Sequence, residues 1–404
     1  MAARFRALLR SDAAGVRAGF VALLISSGGD LLAGLTLGSI TGTLEALPGL
    51  LVLVPAAIGM RGNVFGALGS RLSTAIHTGT FQLSRRRDTV VGQNLAASIS
   101  LSLSISLVLA VLAKVISVGF GLENTISIAD FVVISVIGGF LSSIVVMAIT
   151  VGVATLSVRR DWDLDNVAAP IVTAAGDVVT LPALFLATYL VGLNWVTPIV
   201  AVVCAIVGLV ALVTSVRSRA PILRRIARES IPILVLAGTI DVIAGLTIEK
   251  RFSSFIVYPA LLVLVPPFLE DSGALGSILG ARVSTKLHLG TLQPARWRLR
   301  AVADDVLLVI LYAVPVFLLL GVSADIAAAV VGLESPGSLE MIAVAMVAGA
   351  ISTTFAVLVG FYGAVASYRL GLDPDNHAIP IVTSSLDLLG ALALILAIVA
   401  LGLT

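Results

Sequence analysis

Four aspartates interrupt long apolar stretches of this sequence: Asp30, Asp177, Asp241 and Asp387. Each lies near the middle of its stretch, at matching depths in pairs. An ionised side chain at the centre of a membrane costs about 2.5–3.5 kcal/mol, and it usually faces a bundle interior or a water-filled path. We find no basic residue at the same depth to pair with them. Carboxylate oxygens are hard ligands, so the chemistry that these residues favour is the binding of a cation such as Mg²⁺ or Ca²⁺.

Two of the acids end a repeated motif, which reads DLDNVAAPIVTAAGD at 163–177 and DPDNHAIPIVTSSLD at 373–387. In each copy a threonine precedes the acid by four residues and so shares its helix face. Each proline deprives the carbonyl of the asparagine four residues earlier of its helical hydrogen bond. Capping by these asparagines, and a protonated aspartate bonded to a neighbouring helix, are the alternatives. The predicted metal ligands are Asp30, Asp177, Asp241, Asp387, Thr173, Thr383, Asn166 and Asn376.

The composition identifies the elements that must hold these residues. Of the 404 residues, 58% are hydrophobic and 12% are charged, whereas a soluble domain is about 25% charged. Several continuous apolar runs exceed the roughly 20 residues that span a bilayer, which indicates helices rather than the alternating strands of a barrel. We predict an all-α polytopic membrane protein embedded in the lipid bilayer. The eleven predicted spans are 16–41, 44–60, 90–119, 128–157, 167–192, 195–216, 230–249, 255–270, 302–321, 338–368 and 376–402.

The basic residues predict the orientation of these spans. With a cytoplasmic N-terminus, 22 of the 25 Lys and Arg residues fall on the cytoplasmic side, including those of a loop at 61–87. Because cytoplasmic loops are enriched in basic residues, this orientation is the expected one, and it puts the C-terminus outside. We expect a multi-pass protein of the plasma membrane, whose basic N-terminal arm leads into the first span and is not a signal peptide.

The chain is duplicated. Residues 48–82 align without gaps on 259–293 at an offset of 211, with 17 of 35 positions identical. The predicted domains are a five-helix repeat at 1–193, a connecting helix and basic linker at 194–229, and a second five-helix repeat at 230–404. Because five spans would invert the second copy, the extra helix restores its orientation. The repeats should therefore be parallel, related by a pseudo-two-fold axis along the membrane normal, where an ion path is expected.

The two copies differ after the second span of each. GMRGN at 59–63 is replaced by EDSGA at 270–274. We expect these residues near the inner mouth of the path, where Glu270 and Asp271 add possible ligands from one side only.

These motifs together resemble the MgtE and solute carrier family 41 magnesium transporters. The resemblance rests on the two DxDNxxxPIVTxxxD motifs and on GSRLSTAIHTG at 69–79 with its copy GARVSTKLHLG at 280–290. The five-one-five arrangement is similar to that of the fused members of this family. The resemblance implies transport of Mg²⁺ without an organic cofactor, with Asp177 and Asp387 in the ion pathway. The two halves are not equivalent at Asn63, because its counterpart in the second copy is Ala274.

Two other functions remain as alternatives. A Na⁺- or H⁺-coupled cation exchanger would use the same carboxylates in turn. An intramembrane aspartyl protease would need a Gly-x-Gly-Asp motif, and none of the four membrane aspartates has both glycines, so we do not expect an enzyme. We predict no nucleic-acid partner, and the fused repeats indicate that one chain can form a complete pathway as a monomer.

Overall fold

The computed structural model of the chain describes residues 13–84, 86, 88–160, 164–292, 299–371 and 379–403. These residues form helices and loops, and no strand occurs among them. A short 3₁₀ turn, Leu299–Val302, precedes the eleventh helix. The α-helices in chain order are α1 (Ala13–Ser39), α2 (Thr41–Ala46), α3 (Leu50–His77), α4 (Val90–Gly119), α5 (Ile128–Arg160), α6 (Leu164–Thr188), α7 (Val196–Val216), α8 (Pro221–Glu249), α9 (Phe252–Val257), α10 (Ala260–His288), α11 (Ala303–Val331), α12 (Ser338–Leu370) and α13 (Ile379–Ala400).

Eleven of the described helices are long and apolar enough to cross a membrane, which confirms the predicted all-α polytopic class. The short helices α2 and α9 are not among them. Four predicted boundaries are wrong by nine residues or more. Helices α3 and α10 were expected to end at residues 60 and 270, and both continue to a histidine 17 or 18 residues later. Helix α8 begins at Pro221 where residue 230 was expected, and α11 ends at Val331 where residue 321 was expected. The extension of α3 buries an apolar stripe at helical spacing that includes Val64, Leu68 and Leu72. Polar and basic residues lie between these positions, so a boundary placed by composition alone ended the span too early.

Two of the described helices, α4 and α5, begin at side-chain caps. The Thr89 hydroxyl accepts a 3.1 Å hydrogen bond from the backbone N–H of Gly92 at the start of α4. Ser127 and Asp130 bond reciprocally at the start of α5, since each side chain accepts from the other's backbone N–H. This is the geometry of a capping box. These local bonds satisfy backbone donors that the first helical turn leaves without partners.

The chain divides into two compact units. Unit 1 combines α1 with α9–α13, and unit 2 contains α2–α8. In unit 1 the central helix is α10, which packs against α1, α11, α12 and α13. In unit 2 the central helix is α3, which packs against α4, α5, α6 and α8. The most apolar stretches of α3 and α10 are 72% and 78% buried, against 22% for α7, so α3 and α10 form the cores.

The units do not follow the sequence repeats. Helix α1 belongs to the first repeat but packs on α10 of the second, while α8 belongs to the second repeat but packs on α3 of the first. The repeats thus exchange their first helices. The predicted domains 1–193, 194–229 and 230–404 describe the duplication of the sequence and stay a prediction. The connecting helix α7 packs on α4, α5 and α8 and exposes many apolar side chains, as a lipid-facing helix does.

Candidate functional site

The four predicted membrane aspartates lie on four different helices. Asp30 (α1) and Asp387 (α13) belong to unit 1, and Asp177 (α6) and Asp241 (α8) belong to unit 2. The first three in chain order are buried, with at most 1% of each residue exposed, and Asp387 is half-buried. All four therefore lie within apolar helices, as the sequence predicts, and their role as cation ligands stays a prediction.

The structure describes only some of the predicted ligands on α6 and α13, the last helix of each repeat. Thr383 is half-buried, and its hydroxyl donates to carbonyls of the preceding turn at 3.1 Å, which leaves the lone pairs of its oxygen available. Thr173 is half-buried at the corresponding place on α6. Asn376 lies outside the described residues, and so does the side chain of Asn166.

Gly34 allows α1, the first acid-bearing helix of unit 1, to pack closely against the central helix α10. A methyl group built on Gly34 of α1 would lie 2.1 Å from the carbonyl oxygen of Val263 on α10. Only glycine permits this approach. Pro267 lacks the N–H that would bond to the Val263 carbonyl within α10, so this carbonyl is free to face α1. Asp30 lies four residues before Gly34, on the same face of α1.

Unit 2 has a similar arrangement, in which the glycine and the valine are equivalent residues and the proline stands one position earlier than the equivalent of Pro267. A methyl group built on Gly245 of α8 would lie 2.6 Å from the Val52 carbonyl oxygen and 2.7 Å from that of Leu51. Pro55 removes the helical partner of the Leu51 carbonyl. Asp241 lies four residues before Gly245, so both first-helix acids are positioned by one glycine contact with a proline-containing central helix.

The last acid-bearing helix of each unit packs on the same central helix. In unit 1, a methyl group built on Gly273 of α10 would lie 3.6 Å from the Cβ of Thr383 on α13. In unit 2, a methyl group built on Gly176 of α6 would lie 3.5 Å from the Cβ of Arg61 on α3. Each unit therefore gathers its two acid-bearing helices around one central helix, α1 and α13 around α10, and α8 and α6 around α3.

Asp271 is a buried acid whose position the sequence analysis misjudged. It was expected just beyond the end of a span, but it lies inside α10 and is 1% exposed. Its expected place near the inner mouth of the path stays a prediction. Its Oδ2 accepts a 2.7 Å hydrogen bond from the hydroxyl of Ser27 on α1. The signal that identifies it is the buried apolar stripe on both sides of it in α10, which continues the helix past residue 270.

Arg61 corrects two expectations. It was assigned to a cytoplasmic loop, but it lies in the middle of α3 with 1% of its surface exposed. Its Nε donates a 2.9 Å hydrogen bond to Ser142 on α5, and its Nη1 lies 2.9 Å from the sulfur of Met60. Because its Cβ faces Gly176, the residue before Asp177, a basic residue does lie at the depth of Asp177.

The predicted ligands are not gathered into one compact metal centre. Among the residues that the structure describes, no group of three or more His, Cys, Asp or Glu side chains is placed to hold a metal ion. Mg²⁺ binds oxygen ligands and usually keeps several of its waters. Carboxylates on separate helices suit such a hydrated ion, because each can act through a bound water.

Comparison with known proteins relates this arrangement to a family. Residues 54–187 and 265–397 match the sequence model of the MgtE family, described as divalent cation transporter. The two matched segments fall in the two halves of the duplicated sequence. They confirm the resemblance that the repeated motifs suggested.

Several curated proteins are similar over most of the chain. Solute carrier family 41 member 3 of Mus musculus is 28% identical over 84% of this chain and 73% of its own length. Member 3 of Rattus norvegicus is 26% identical over 92% of this chain and 84% of its own length. Member 2 of Homo sapiens is 28% identical over 85% of this chain and 63% of its own length. No solved structure matches the chain.

Proposed function

Because the chain belongs to the MgtE family of divalent cation transporters, we propose that it carries Mg²⁺ across the plasma membrane along a path lined by its membrane aspartates. The chain spans the membrane several times and acts on divalent cations as substrates that it transports. We propose in addition that Mg²⁺ is the preferred ion and that its path is lined by Asp30, Asp177, Asp241 and Asp387.

The observation that carries the proposal is the gathering of two acid-bearing helices around one central helix in each unit. In unit 1, α1 brings the buried Asp30 and α13 brings the half-buried Asp387 to α10. In unit 2, α8 brings Asp241 and α6 brings Asp177 to α3, and both are buried. Acidic residues inside membrane helices are expensive and usually mark ion pathways. Retention of the same glycine contact beside Asp30 and Asp241 supports a shared function for the two units.

The proposed mechanism uses the carboxylates as charges that act on a partly hydrated ion. A divalent cation attracts each carboxylate through a shared water, so the ion can pass from one acid to the next without losing its whole water shell. Thr173 and Thr383 offer hydroxyl oxygens one helical turn before their acids. We propose a cytoplasmic N-terminus, an external C-terminus and activity as a monomer, on the basis of the basic residues and the fused repeats.

The family membership decides between the classes of function considered from the sequence. The MgtE family is one of transporters, so the chain is not an intramembrane protease. Coupling of Mg²⁺ movement to a Na⁺ or H⁺ gradient remains the alternative within transport. Such an exchanger uses the same aspartates, but each Mg²⁺ crosses in exchange for Na⁺ or H⁺ that moves in the opposite direction.

The test is Mg²⁺ uptake by proteoliposomes that contain the purified full-length protein and an internal Mg²⁺ indicator. We expect uptake by the wild type, and we expect Asp177→Asn and Asp387→Asn each to abolish it because the amide loses the charge at nearly constant volume. Asp304→Asn is the matched control, since Asp304 is an exposed acid in the first turn of α11. It should transport like the wild type.

Two results would count against the proposal. Wild-type liposomes without any Mg²⁺ uptake would contradict the choice of ion, and full uptake by both folded asparagine variants would contradict the aspartate-lined path. Uptake that requires an opposing Na⁺ or pH gradient would select the coupled exchanger. The same vesicles, loaded with and without that gradient, give this answer.

A further inference from the structure

A hydrogen-bonded pair that contains a buried acid exists in unit 1 and has no equivalent in unit 2. In unit 1 the hydroxyl of Ser27 donates a 2.7 Å hydrogen bond to Oδ2 of Asp271. At the repeat offset of 211 residues, Ser27 corresponds to Gly238. At the same offset, Asp271 corresponds to Met60. Both members of the pair differ together, so unit 2 has neither this carboxylate nor its hydrogen-bond donor.

The second oxygen of Asp271 has the properties of an atom that binds a cation. Asp271 is 1% exposed, and its Oδ1 has no hydrogen-bond partner among the described residues. Burying an unpartnered carboxylate oxygen is costly, and a cation bound to it removes most of that cost. Asp30 follows Ser27 by one turn on the same face of α1, so a second buried carboxylate lies on the helix face that contacts α10.

Unit 2 carries a cation of its own next to the equivalent position. The Arg61 guanidinium on α3 donates its 2.9 Å hydrogen bond to Ser142. The counterpart of Arg61 in unit 1 is Ser272, which accepts a 2.6 Å hydrogen bond from Ser352. Ser352 is in turn the counterpart of Ser142, at an offset of 210. The same helix contact therefore holds a guanidinium in one unit and an uncharged hydroxyl in the other.

The equivalent turns of the two central helices thus have opposite formal charge. Positions 60 and 61 of α3 are Met and Arg, which give one positive charge. Positions 271 and 272 of α10 are Asp and Ser, which give one negative charge, and Glu270 before them, where α3 has Gly59, adds a second. A mobile cation is attracted to the turn in α10 and repelled by the turn in α3.

We propose that Asp271, held by Ser27, is a cation ligand of unit 1, and that Arg61 is a fixed positive charge that takes the place of a bound cation in unit 2. The ligand class is a hard divalent cation, because the free carboxylate oxygen of Asp271 and the hydroxyl of Ser27 beside it are both oxygen ligands. This inference rests on the proposed transport function and adds that the two halves of the duplicated chain divide their roles. Only unit 1 binds a cation at this level of its central helix.

The test is Mg²⁺ binding to purified full-length protein in detergent, measured by isothermal titration calorimetry. We expect Asp271→Asn to raise the Kd for Mg²⁺ by at least about tenfold, as the Coulomb energy of a divalent ion about 5 Å from a carboxylate requires even in water. Ser27→Ala should raise it by about two- to fivefold, the worth of one hydrogen bond that orients the carboxylate. Ser26→Ala and Asp304→Asn are matched controls and should stay within about twofold of the wild type.

The variants separate a ligand from a structural residue. If Asp271 only joins α1 to α10, Asp271→Asn keeps the wild-type Kd, and this result overturns the inference. If Asp271→Asn does not fold, the decision rests on Ser27→Ala, which keeps the carboxylate. An unchanged Kd in Ser27→Ala, relative to Ser26→Ala, then overturns it.

Failure of this inference is distinguishable from failure of the proposed function. Wild-type protein that binds and transports no Mg²⁺ removes the proposed function itself. Wild-type protein that transports Mg²⁺, together with an Asp271→Asn variant that binds and transports it equally well, removes only the role of Asp271. Loss of binding in Asp271→Asn with normal stability supports both.

Discussion

Replacing Gly34 by alanine tests the contact that seats α1 on the central helix of unit 1. The added methyl group would lie 2.1 Å from the Val263 carbonyl oxygen, 2.9 Å from its carbon and 3.1 Å from its Cα. All three atoms belong to the backbone, so no side-chain rotation relieves the clash. The two helices must separate by about 0.9 Å to restore a contact of about 3 Å, and close-packed interiors do not absorb such a shift freely.

Separation of α1 from α10 also affects the hydrogen bond between Ser27 on the same face of α1 and the buried Asp271. An outward shift of about 0.9 Å would stretch the 2.7 Å hydrogen bond between Ser27 and Asp271 to about 3.6 Å, which is beyond hydrogen-bonding range. Overpacking of this kind costs about 1–3 kcal/mol. Alanine is about 1 kcal/mol better than glycine inside a helix, which offsets part of the cost. We therefore expect Gly34→Ala to be destabilised by about 0–2 kcal/mol and to lose Mg²⁺ affinity.

The matched control lies on the same helix. Nothing lies within 4 Å of a methyl group built on Gly28, which is exposed. Gly28→Ala gains the same helix propensity without the clash, so its free energy of unfolding should exceed that of Gly34→Ala by about 1–3 kcal/mol. Denaturant unfolding in detergent measures this difference, and Mg²⁺ uptake in liposomes measures the functional loss.

The reasoning fails if the two alanine variants are equally stable and transport Mg²⁺ equally well. That outcome would mean that α1 does not approach α10 as closely as the structure has it. If Gly34→Ala loses stability but keeps its uptake, the contact is structural only, and the link from Gly34 to the acids is wrong.

Two further expectations concern buried charges of unit 2. Both carboxylate oxygens of Glu249 accept hydrogen bonds from backbone N–H groups at the start of α3, at 2.7 and 3.2 Å. Glu249→Gln leaves one of these N–H groups facing an amide NH₂, so it should lower the free energy of chemical unfolding by about 1 kcal/mol. The control is Glu229→Gln, which breaks an exposed ion pair with Arg225 and should cost less than about 0.5 kcal/mol. Arg61→Met removes the fixed charge at similar volume and should lower the Kd for Mg²⁺ by about twofold or more in calorimetry, and weaker binding would contradict its assigned role.

Much of the fold can be predicted from the sequence because membrane helices are recognisable as long apolar runs. The eleven spans and the duplication at an offset of 211 need only apolar runs and identities. The wrong ends of α3 and α10 have one physical cause: a helix buried in protein can carry polar and basic residues between its apolar contacts. Arg61 is the example, since its charge suggested a loop while its neighbours Val64 and Leu68 continue the buried stripe.

The candidate site was predictable only in part. The burial of Asp30, Asp177 and Asp241 was expected from their surroundings, and the structure places all three inside packed helices. The contact between Ser27 and Asp271 joins residues 244 positions apart. Periodicity reports only neighbours within a helix, so it identifies neither this pair nor the grouping of α1 with α10.

Fusion of the two repeats into one chain explains why the two units can differ from each other. The Ser27–Asp271 pair joins a serine of the first repeat to an aspartate of the second. In a symmetric dimer of identical subunits the same pair would occur twice, because each contact is repeated by the symmetry. A fused chain is free of this constraint, since a change at Gly238 or Met60 alters one unit only. Fusion of the duplicated halves therefore permits one unit to have the carboxylate of Asp271 where the other has Met60 followed by Arg61.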